Sequence, residues 1–379
     1  MPKTAPGPCE KSMTDQFRST YTQIDLNAIR HNIGVFRSET RSPFIAVVKA
    51  DAYGHGLIEV ARTALKEGAS MLAVAVPEEG AALRGAGIDA PVLVLGGMNA
   101  REGAASVRWG LVQSVYTPGH ISLLEQACLE QGKTCAVHIK VDSGMGRLGI
   151  RSPKEARELT QALSRAGHVH AEAVFTHFCD ADAEDDRYTL MQASRFEEIC
   201  AELPRGLKKH MSASAAAIKY PAMRGDMVRL GIAMYGCSPY PGGGLDLKPA
   251  LKWISEVMLV KTVGAGECIG YGCTYKADKP VRVATIAVGY GDGYPRVLSN
   301  KGQVLIRGKR CRIIGNVCMD MIMADVTHID GVQEGDEAVL LGQQGSEEIT
   351  ADEIAGICGT ISYEILLAPK NRVPRYYID

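Results

Sequence analysis

A lysine at the end of an apolar run is the residue in this chain best suited to covalent chemistry. Lys49 follows the apolar residues 44–48 and leads into a glycine-containing segment that includes Tyr53. Short runs rich in β-branched and aromatic residues are typical of strands buried on both faces. An amine at the mouth of such a strand is partly desolvated, which lowers its pKa and allows it to condense with an aldehyde. The alternative interpretation is a surface lysine that closes a strand and keeps its charge in water.

The segment around Lys49 is more specific when it is taken as a whole. Residues 47–56, with the sequence VVKADAYGHG, resemble the pyridoxal-phosphate signature of the alanine racemase family. Similar segments extend over most of the chain, roughly from Tyr21 to Arg375. The resemblance implies that Lys49 forms an internal aldimine with pyridoxal 5'-phosphate. It also implies that Tyr53 hydrogen-bonds the phosphate of this cofactor.

Later segments supply further residues that the resemblance assigns to the cofactor and the substrate. Arg147, in residues 138–149, matches the arginine at the phenolic oxygen of the cofactor and near the substrate carboxylate. Lys140 matches a lysine that some family members carbamylate. His177 matches a histidine bonded to a catalytic tyrosine, although a lone histidine in an apolar strand is more often a satisfied core residue. Arg229 matches the arginine that faces the pyridine nitrogen, and its permanent charge should leave that nitrogen unprotonated.

The phosphate of the cofactor is expected at the seventh and eighth strands. Barrels often bind phosphate with the loops after these strands and with a short helix N-terminus. The resemblance assigns this role to Ser214 and to the amides of Gly231 and Ile232, and it adds Tyr363 as another phosphate contact. The chain departs from the family pattern at Ala213, where many members have asparagine, and this puts the substrate range in doubt.

Two residues from the last third of the chain complete the implied site. Tyr271, in residues 267–275, matches the second catalytic base of the family. The local sequence alone would instead indicate an aromatic residue in a strand, between two glycines. Met319 matches the residue whose backbone amide binds the substrate carboxylate. In the family both residues come from the partner subunit, so the resemblance implies a homodimer. No metal ligand set is expected, because the acidic residues 180–186 are spaced irregularly, as in a solvated loop.

The elements that must position these residues alternate along the first two thirds of the chain. Amphipathic stretches separate eight apolar runs, at 44–49, 71–76, 91–95, 112–116, 135–141, 171–178, 209–212 and 227–230. This alternation predicts parallel β-α units, and eight of them favour a (β/α)8 TIM-type barrel. A proline- and glycine-rich linker follows at 237–250. We therefore predict a loose tail at 1–20, a cofactor-binding barrel at 21–240 and a second domain at 241–379.

The second domain is predicted to be mainly antiparallel β structure. Six β-type runs lie at 257–263, 281–288, 304–306, 311–314, 321–326 and 338–341, with turn residues between them. One helix is predicted to begin at Thr350, because Asp352 and Glu353 would favour the dipole of its first turn.

Composition excludes several classes of partner. The 379 residues include 42 basic and 43 acidic side chains, and the net charge of -1 gives no footprint for nucleic acid or anionic membrane. No apolar stretch approaches the roughly 20 residues of a membrane span. Eleven cysteines without a C-x-x-C pair argue against a disulfide framework and for a reducing compartment. The cytoplasm is therefore the expected location.

The resemblance implies an isomerase that interconverts L-alanine and D-alanine through an external aldimine, with Lys49 as the base for the D enantiomer and Tyr271 for the L enantiomer. Its product would supply cell-wall peptidoglycan. The main alternative is a racemase of serine or of broader specificity. A basic amino-acid decarboxylase shares this barrel but lacks segments like those around Tyr271 and Met319. A non-catalytic cofactor carrier would lack the roughly 130 residues after the linker.

Overall fold

The computed structural model describes residues 18–240 and 242–379. The chain divides into two compact units. One unit comprises Leu26–Ala250, and the other comprises Leu251–Asp379 together with the strand Tyr21–Asp25. Most of the predicted tail, residues 1–17, lies outside the described residues. Thr20, at the end of that tail, is buried and hydrogen-bonds Ser255 across 2.9 Å.

The first unit contains the predicted parallel barrel. Its eight strands follow each other in chain order, and the last returns to pair with the first. Between the seventh and eighth strands the Arg229 amide donates to the Ser212 carbonyl across 2.9 Å. The prediction of a TIM-type barrel is thus confirmed. The strands are Phe44–Val47, Met71–Val74, Val92–Val94, Val112–Val115, Cys135–Lys140, Val169–Phe175, Lys208–His210 and Val228–Leu230.

Helices cover the barrel strands, and local sequence signals explain where several of them begin. Thr117 and Ser152 accept backbone N–H groups at two helix starts and are each followed by proline, and Asn99 forms a capping box with Glu102. Buried apolar residues of the fourth, fifth and sixth strands pack in one core cluster with those of the helices around them. The helices are Leu26–Thr40, Leu57–Lys66, Pro77–Gly85, Ala100–Arg108, Pro118–Gln131, Pro153–Arg165, Arg187–Cys200 and Ser214–Lys219, with short 3-10 turns at Pro221–Met223 and Ile232–Tyr235.

The second unit is mainly antiparallel β structure, as predicted. Its central strand, Leu251–Val263, pairs with three other strands in antiparallel register. The predicted helix is present as Ala351–Cys358, and the Thr350 hydroxyl accepts the Glu353 amide. The other strands are Cys268–Ile269, Tyr275–Lys276, Val281–Ile286, Gln303–Ile306, Lys309–Arg312, Ile322–Asp325, Glu337–Gln344, Glu347–Ile349 and Arg375–Ile378, and the remaining helices are Ser362–Leu366 and the 3-10 turns Tyr271–Cys273 and Arg296–Leu298.

The strand Tyr21–Asp25 differs from the sequence-based division, which placed residues 21–240 in the barrel. It pairs antiparallel with the strand Leu251–Val263 and parallel with the strand Arg375–Ile378. Its burial alternates along the chain, with Thr22 and Ile24 buried. Such alternation is typical of a sheet with unlike faces, whereas barrel strands are buried on both faces. The strand therefore belongs with the second unit although it precedes the first in the chain.

A buried asparagine fixes the end of the barrel unit to its first helix. Asn32, on the helix Leu26–Thr40, donates to the carbonyls of Met234 and Lys248 across 3.1 and 2.8 Å. Its side-chain oxygen accepts the Lys248 amide across 2.7 Å. This residue was not singled out in the sequence, because an asparagine in a helix is usually exposed.

Replacing Asn32 by alanine should destabilise the barrel unit, because three backbone groups in buried or partly buried contacts then lose their partner. We expect a loss of about 2–3 kcal/mol in unfolding free energy, which lowers the melting temperature by roughly 4–12 °C for a unit of this size. Asn27→Ala, at an exposed position of the same helix, is the matched control. Calorimetric melting of both variants measures the difference, and equal melting temperatures would contradict the assigned role.

Candidate active site

Lys49 lies at the carboxyl end of the first barrel strand, as the sequence predicts. The strand is paired on both sides, by Met71–Val74 and by Val228–Leu230. Burial lowers the pKa of the Lys49 amine, and the charge of Arg147 lowers it further, against the opposing effect of Glu79. The amine is therefore more readily deprotonated than that of an ordinary lysine, as a nucleophile requires.

The residues that follow Lys49 form a left-handed turn. Residues 50–53 all have positive φ, between 52° and 54°, although none of them is glycine. Each such residue costs roughly 1–2 kcal/mol, and strain of this kind is concentrated at functional sites. Hydrogen bonds hold the turn in place: the Asp51 carboxylate accepts the Leu57 amide across 2.7 Å, and the Glu79 carboxylate accepts the amides of Ala50 and Ala75.

The turn places Tyr53 beside two of the residues predicted to hold phosphate. A Cβ atom added to Gly231 would lie 3.2 Å from the Tyr53 hydroxyl oxygen. The Gly231 amide donates to the Ser214 hydroxyl across 3.0 Å. Ile232 begins the next 3-10 turn, and the first N–H groups of a helical turn have no acceptor within it. Tyr53, Ser214, Gly231 and Ile232 thus form one polar cluster, which we call the hydroxyl cluster.

Arg229 is the central buried cation of the site. Its two terminal nitrogens donate to the carbonyls of Thr176, His210 and Met211 and to ring nitrogens of His177 and His210. Its Nε–H has no acceptor within the described part of the chain. Burial, followed by the charge of Arg147, lowers the pKa of Arg229 to about 9, so the guanidinium still carries its proton at neutral pH.

The contact with Arg229 decides which nitrogen of His177 carries a proton. The Arg229 NH2 group lies 3.3 Å from His177 Nδ1. Because a guanidinium can only donate, Nδ1 must accept, and the neutral ring carries its proton on Nε2. Burial and then the charge of Arg229 hold the pKa of His177 well below its usual range, so the ring is neutral.

Two further basic residues surround the same site. Lys140 is buried at the end of the fifth strand, and its ammonium nitrogen lies 4.5 Å from the centre of the Phe175 ring. Burial, together with the charges of Arg229 and Arg147, holds the pKa of Lys140 well below its usual value. Arg147 lies in an exposed loop that Asp142 closes by accepting the amides of Gly144 and Gly146.

The sequence did not identify three polar residues that support the site. Glu79 holds the left-handed turn, while His138 and His210 are buried behind Arg229. One signal was present: His138 and Lys140 are two residues apart on a strand, so their side chains leave the same face. A charged residue and a histidine on one barrel-facing side are unusual in an apolar strand.

The remaining predicted residues lie in the second unit. Tyr271 is 74% exposed on the turn of a short hairpin, and its carbonyl accepts from the Asn316 amide group across 2.7 Å. Met319 is 54% exposed and lines the same groove as Tyr271, with a volume of about 630 Å³. Tyr363 lies on the helix Ser362–Leu366 and is not among the residues that line this groove.

Two classes of site are not found in the described residues. No group of three or more His, Cys, Asp or Glu side chains there could hold a metal ion. No helix in that part of the chain is long and apolar enough to span a membrane.

The barrel site is suited to an anionic ligand that carries a carbonyl group. It combines a nucleophilic lysine, three further basic side chains and the hydroxyl cluster at the carboxyl ends of barrel strands. The fold and the site therefore define a barrel protein with a lysine of lowered pKa in a basic site, and such a site suits a phosphorylated carbonyl compound.

Comparison with known proteins identifies the family. The chain matches the family models "Alanine racemase, N-terminal domain" over residues 24–239 and "Alanine racemase, C-terminal domain" over residues 250–377. It is 45% identical over 370 residues to an alanine racemase of Symbiobacterium thermophilum, covering 96% of this chain and 98% of that protein. It is 42% identical over 369 residues to an alanine racemase of Halothermothrix orenii, with 95% and 97% covered. The chain belongs to the alanine racemase family.

Solved structures agree with this assignment. The alanine racemase of Bacillus anthracis superposes with a TM-score of 0.90 at 36% identity, and 96% of each chain is covered. A histidine racemase of Leuconostoc mesenteroides superposes with a TM-score of 0.89 at 28% identity, covering 96% of this chain and 99% of that one. The same fold thus also occurs in a racemase named for a different amino acid.

The lowered pKa of Lys49 predicts how its amine reacts. In the cofactor-free protein, the pH profile of Lys49 modification by an amine reagent should have its midpoint below the ordinary value of 10.5. Arg147→Gln should move the midpoint upward, because removing a neighbouring positive charge favours the protonated amine. Arg157→Gln, an exposed substitution on the helix Pro153–Arg165, is the control and should move nothing. Peptide mass spectrometry follows the reaction, and an unshifted midpoint in Arg147→Gln would refute the electrostatic coupling.

Proposed function

We propose that this chain interconverts L-alanine and D-alanine with pyridoxal 5'-phosphate as its cofactor. The observation that carries the proposal is the nucleophilic Lys49 among the cations of the barrel site, in a chain of the alanine racemase family. The phosphate and the phenolic oxygen of the cofactor are anionic, so they fit a site that collects basic side chains and hydroxyl groups. When bound, the conjugated ring of the cofactor acidifies the α-proton of the amino acid.

Different residues would hold different parts of this cofactor. Lys49 would hold the aldehyde carbon. Reduction with borohydride should therefore attach the reduced cofactor to the peptide that contains Lys49 and to no other peptide. The hydroxyl cluster, together with Tyr363, would hold the phosphate. Arg147 would hold the phenolic oxygen and approach the substrate carboxylate, which Met319 would also bind through its amide. The Nε–H of Arg229, which has no acceptor among the described residues, is the donor that we propose for the ring nitrogen.

A lysine reacts with carbon dioxide through its deprotonated amine, and the lowered pKa of Lys140 favours that form. Its low pKa follows from burial beside two guanidinium groups, and a carbamate would replace a buried cation with an anion that those groups stabilise. We propose that Lys140 carries a carbamate that holds Arg147. Isotope-labelled bicarbonate should give a carbamate signal in the wild type, and the persistence of this signal in Lys140→Ala would refute the assignment.

Two bases on opposite faces of the α-carbon would move the proton. Lys49 is proposed to serve the D enantiomer and Tyr271 the L enantiomer. A free tyrosine has a pKa of about 10, so Tyr271 needs a donor to stabilise its phenolate. The Nε2–H of His177, fixed by Arg229, is the donor that we propose for this role.

The exposure of Tyr271 and Met319 supports a homodimer in which both residues serve the partner's barrel. Exposed apolar side chains that line a groove commonly mark an interface. Supply of D-alanine to peptidoglycan and a cytoplasmic location remain predictions. Growth rescue of a D-alanine-requiring bacterium tests the first of these, and cell fractionation tests the second.

A racemase of serine or of broader specificity is the second candidate. Ala213 favours it, because many family members have asparagine at this position, next to Ser214, and alanine removes that polar side chain from the start of the helix Ser214–Lys219. The similarity to a histidine racemase also shows that relatives with this fold are named for other amino acids.

An assay of the purified protein against single L-amino acids decides between the two candidates. A methyl or hydroxyl difference in an apolar pocket gives only about 1–3 kcal/mol of discrimination, roughly 10–200-fold in kcat/KM. We expect alanine to be the best substrate, serine to be detectable, and histidine, lysine and arginine to be poor. Chiral chromatography of the products measures this order. Faster turnover of any amino acid other than alanine would favour the second candidate.

Complementation between two inactive variants tests the shared site. Lys49→Ala and Tyr271→Phe homodimers should each racemise poorly, because one face of the α-carbon has lost its base. A mixed dimer has one site with both lesions and one intact site. Subunit exchange should therefore restore up to about half of the wild-type activity per dimer. Differential tags verify the exchange, and verified mixed dimers without activity would show that Tyr271 does not serve the partner's barrel as a base.

A further inference from the structure

Two buried histidines extend the hydrogen-bond network of Arg229 away from the site. The Arg229 NH1 group lies 3.0 Å from His210 Nδ1, and His210 Nε2 lies 3.0 Å from His138 Nδ1. His138, His210 and Arg229 are only 2%, 0% and 3% exposed. The three side chains come from the fifth, seventh and eighth barrel strands, so the network crosses the barrel interior.

The direction of every proton in this network follows from the chemistry of arginine. Arg229 can only donate, so His210 Nδ1 accepts, and the neutral His210 ring carries its proton on Nε2. That N–H can then only donate to His138 Nδ1, which leaves the His138 proton on Nε2. Burial lowers the pKa of His138 to about 4 and holds that of His210 well below its usual range, so both rings are neutral near pH 7.

Packing prevents the middle ring from adopting another arrangement freely. The His210 ring stacks on Phe175, with centroids 4.7 Å apart and an angle of 6° between the planes. In this position His210 engages Arg229 and His138 with its two ring nitrogens at once. With its proton on Nδ1 instead, the ring would face Arg229 donor to donor and would lose that hydrogen bond, and the bond to His138 would persist only if the His138 proton moved to Nδ1.

We propose that His138 is a positioning residue for the racemase site. By accepting the Nε2–H of His210, it keeps His210 Nδ1 as the acceptor for Arg229. Arg229 is thereby held in the orientation that engages both of its terminal nitrogens and leaves Nε–H for the ligand. This inference rests on the proposed function, because it assumes that Arg229 donates a hydrogen bond to the ring nitrogen of the cofactor.

Two substitutions of similar shape separate positioning from packing. Asparagine at position 138 can present an oxygen close to the place of Nδ1, whereas leucine has the same size and no acceptor. His138→Leu should lower kcat for alanine by roughly 10–100-fold, as does removal of the hydrogen-bond partner of a metal-binding residue. KM should change little, and His138→Asn should recover most of the lost rate.

A control variant accounts for the general cost of removing a buried polar side chain. Gln113, on the neighbouring strand, is fully buried and accepts from the Ser106 hydroxyl across 2.8 Å, outside the histidine network. Gln113→Leu should lower the melting temperature about as much as His138→Leu does, yet leave kcat close to wild type. A kcat of His138→Leu equal to that of wild type, or equal losses in the leucine and asparagine variants, would overturn the proposal.

Nitrogen NMR of the histidine-labelled wild-type holoenzyme tests the proton positions without any substitution. The chain has nine histidines, and His138→Asn identifies the signals of position 138. We expect protonated Nε2 and unprotonated Nδ1 in both His138 and His210. A protonated Nδ1 in either ring would overturn the proposal even if the leucine variant fails to fold.

The same experiments separate this inference from the proposed function. If the wild-type protein does not racemise alanine, the function is wrong, whereas the proton positions are still measured. The dissociation constant of pyridoxal phosphate from the two variants gives a further readout. It should rise in His138→Leu and stay near the wild-type value in His138→Asn, and an equal rise in both would count against positioning.

Discussion

The buried charge of Arg229 is the interaction on which the rest of the barrel site depends. A guanidinium removed from water must have its N–H groups satisfied, and the ends of the sixth and seventh strands supply the acceptors. These contacts decide the proton positions of His177 and His210. The same charge contributes to the low pKa values of Lys49, Lys140 and His177. One side chain thus sets both the donor pattern and the protonation states of its neighbours.

A site built in this way is electrostatically incomplete without an anion. Lys49, Lys140, Arg147 and Arg229 repel one another, and the nearby carboxylates of Glu79 and Asp142 offset only part of this repulsion. Any ligand that binds the folded state alone stabilises it by mass action. An anionic cofactor therefore adds to the stability of the barrel as well as to its chemistry. The repulsion that is unfavourable in the free protein is thus relieved when an anion binds.

The sequence predicted the barrel well because most of its strands are buried on both faces and appear as short apolar runs. The short strand Val228–Leu230 lies within its predicted run, 227–230, whereas Lys208–His210 begins one residue before the predicted run 209–212 and overlaps it only in part. The strand Tyr21–Asp25 was not predicted, because its pairing partners lie more than 200 residues away and its alternating pattern is only five residues long.

The residues of the candidate site could be predicted only in part. Resemblance supplied the residues expected to touch the ligand, and the structure gathers those of the barrel around Arg229. The supporting contacts of His138, His210 and Glu79 depend on distances between strands that no local pattern encodes. The left-handed backbone of residues 50–53 was also unpredictable, because only Asp51 is of a type that is enriched at positive φ, whereas Ala50, Ala52 and Tyr53 are not.

The left-handed turn can lose its conformation independently of the barrel strands. Four residues in this conformation cost roughly 4–8 kcal/mol in total, which is comparable with the whole stability of a typical domain. The turn can persist only while its closing contacts, such as the Asp51 and Glu79 carboxylates on backbone amides, are intact. Relaxing it to ordinary backbone would release strain and would leave all eight barrel strands paired. The local order of the segment that carries Tyr53 and the global stability of the barrel are therefore separate quantities, and a protein that melts normally can still have lost the geometry of its site.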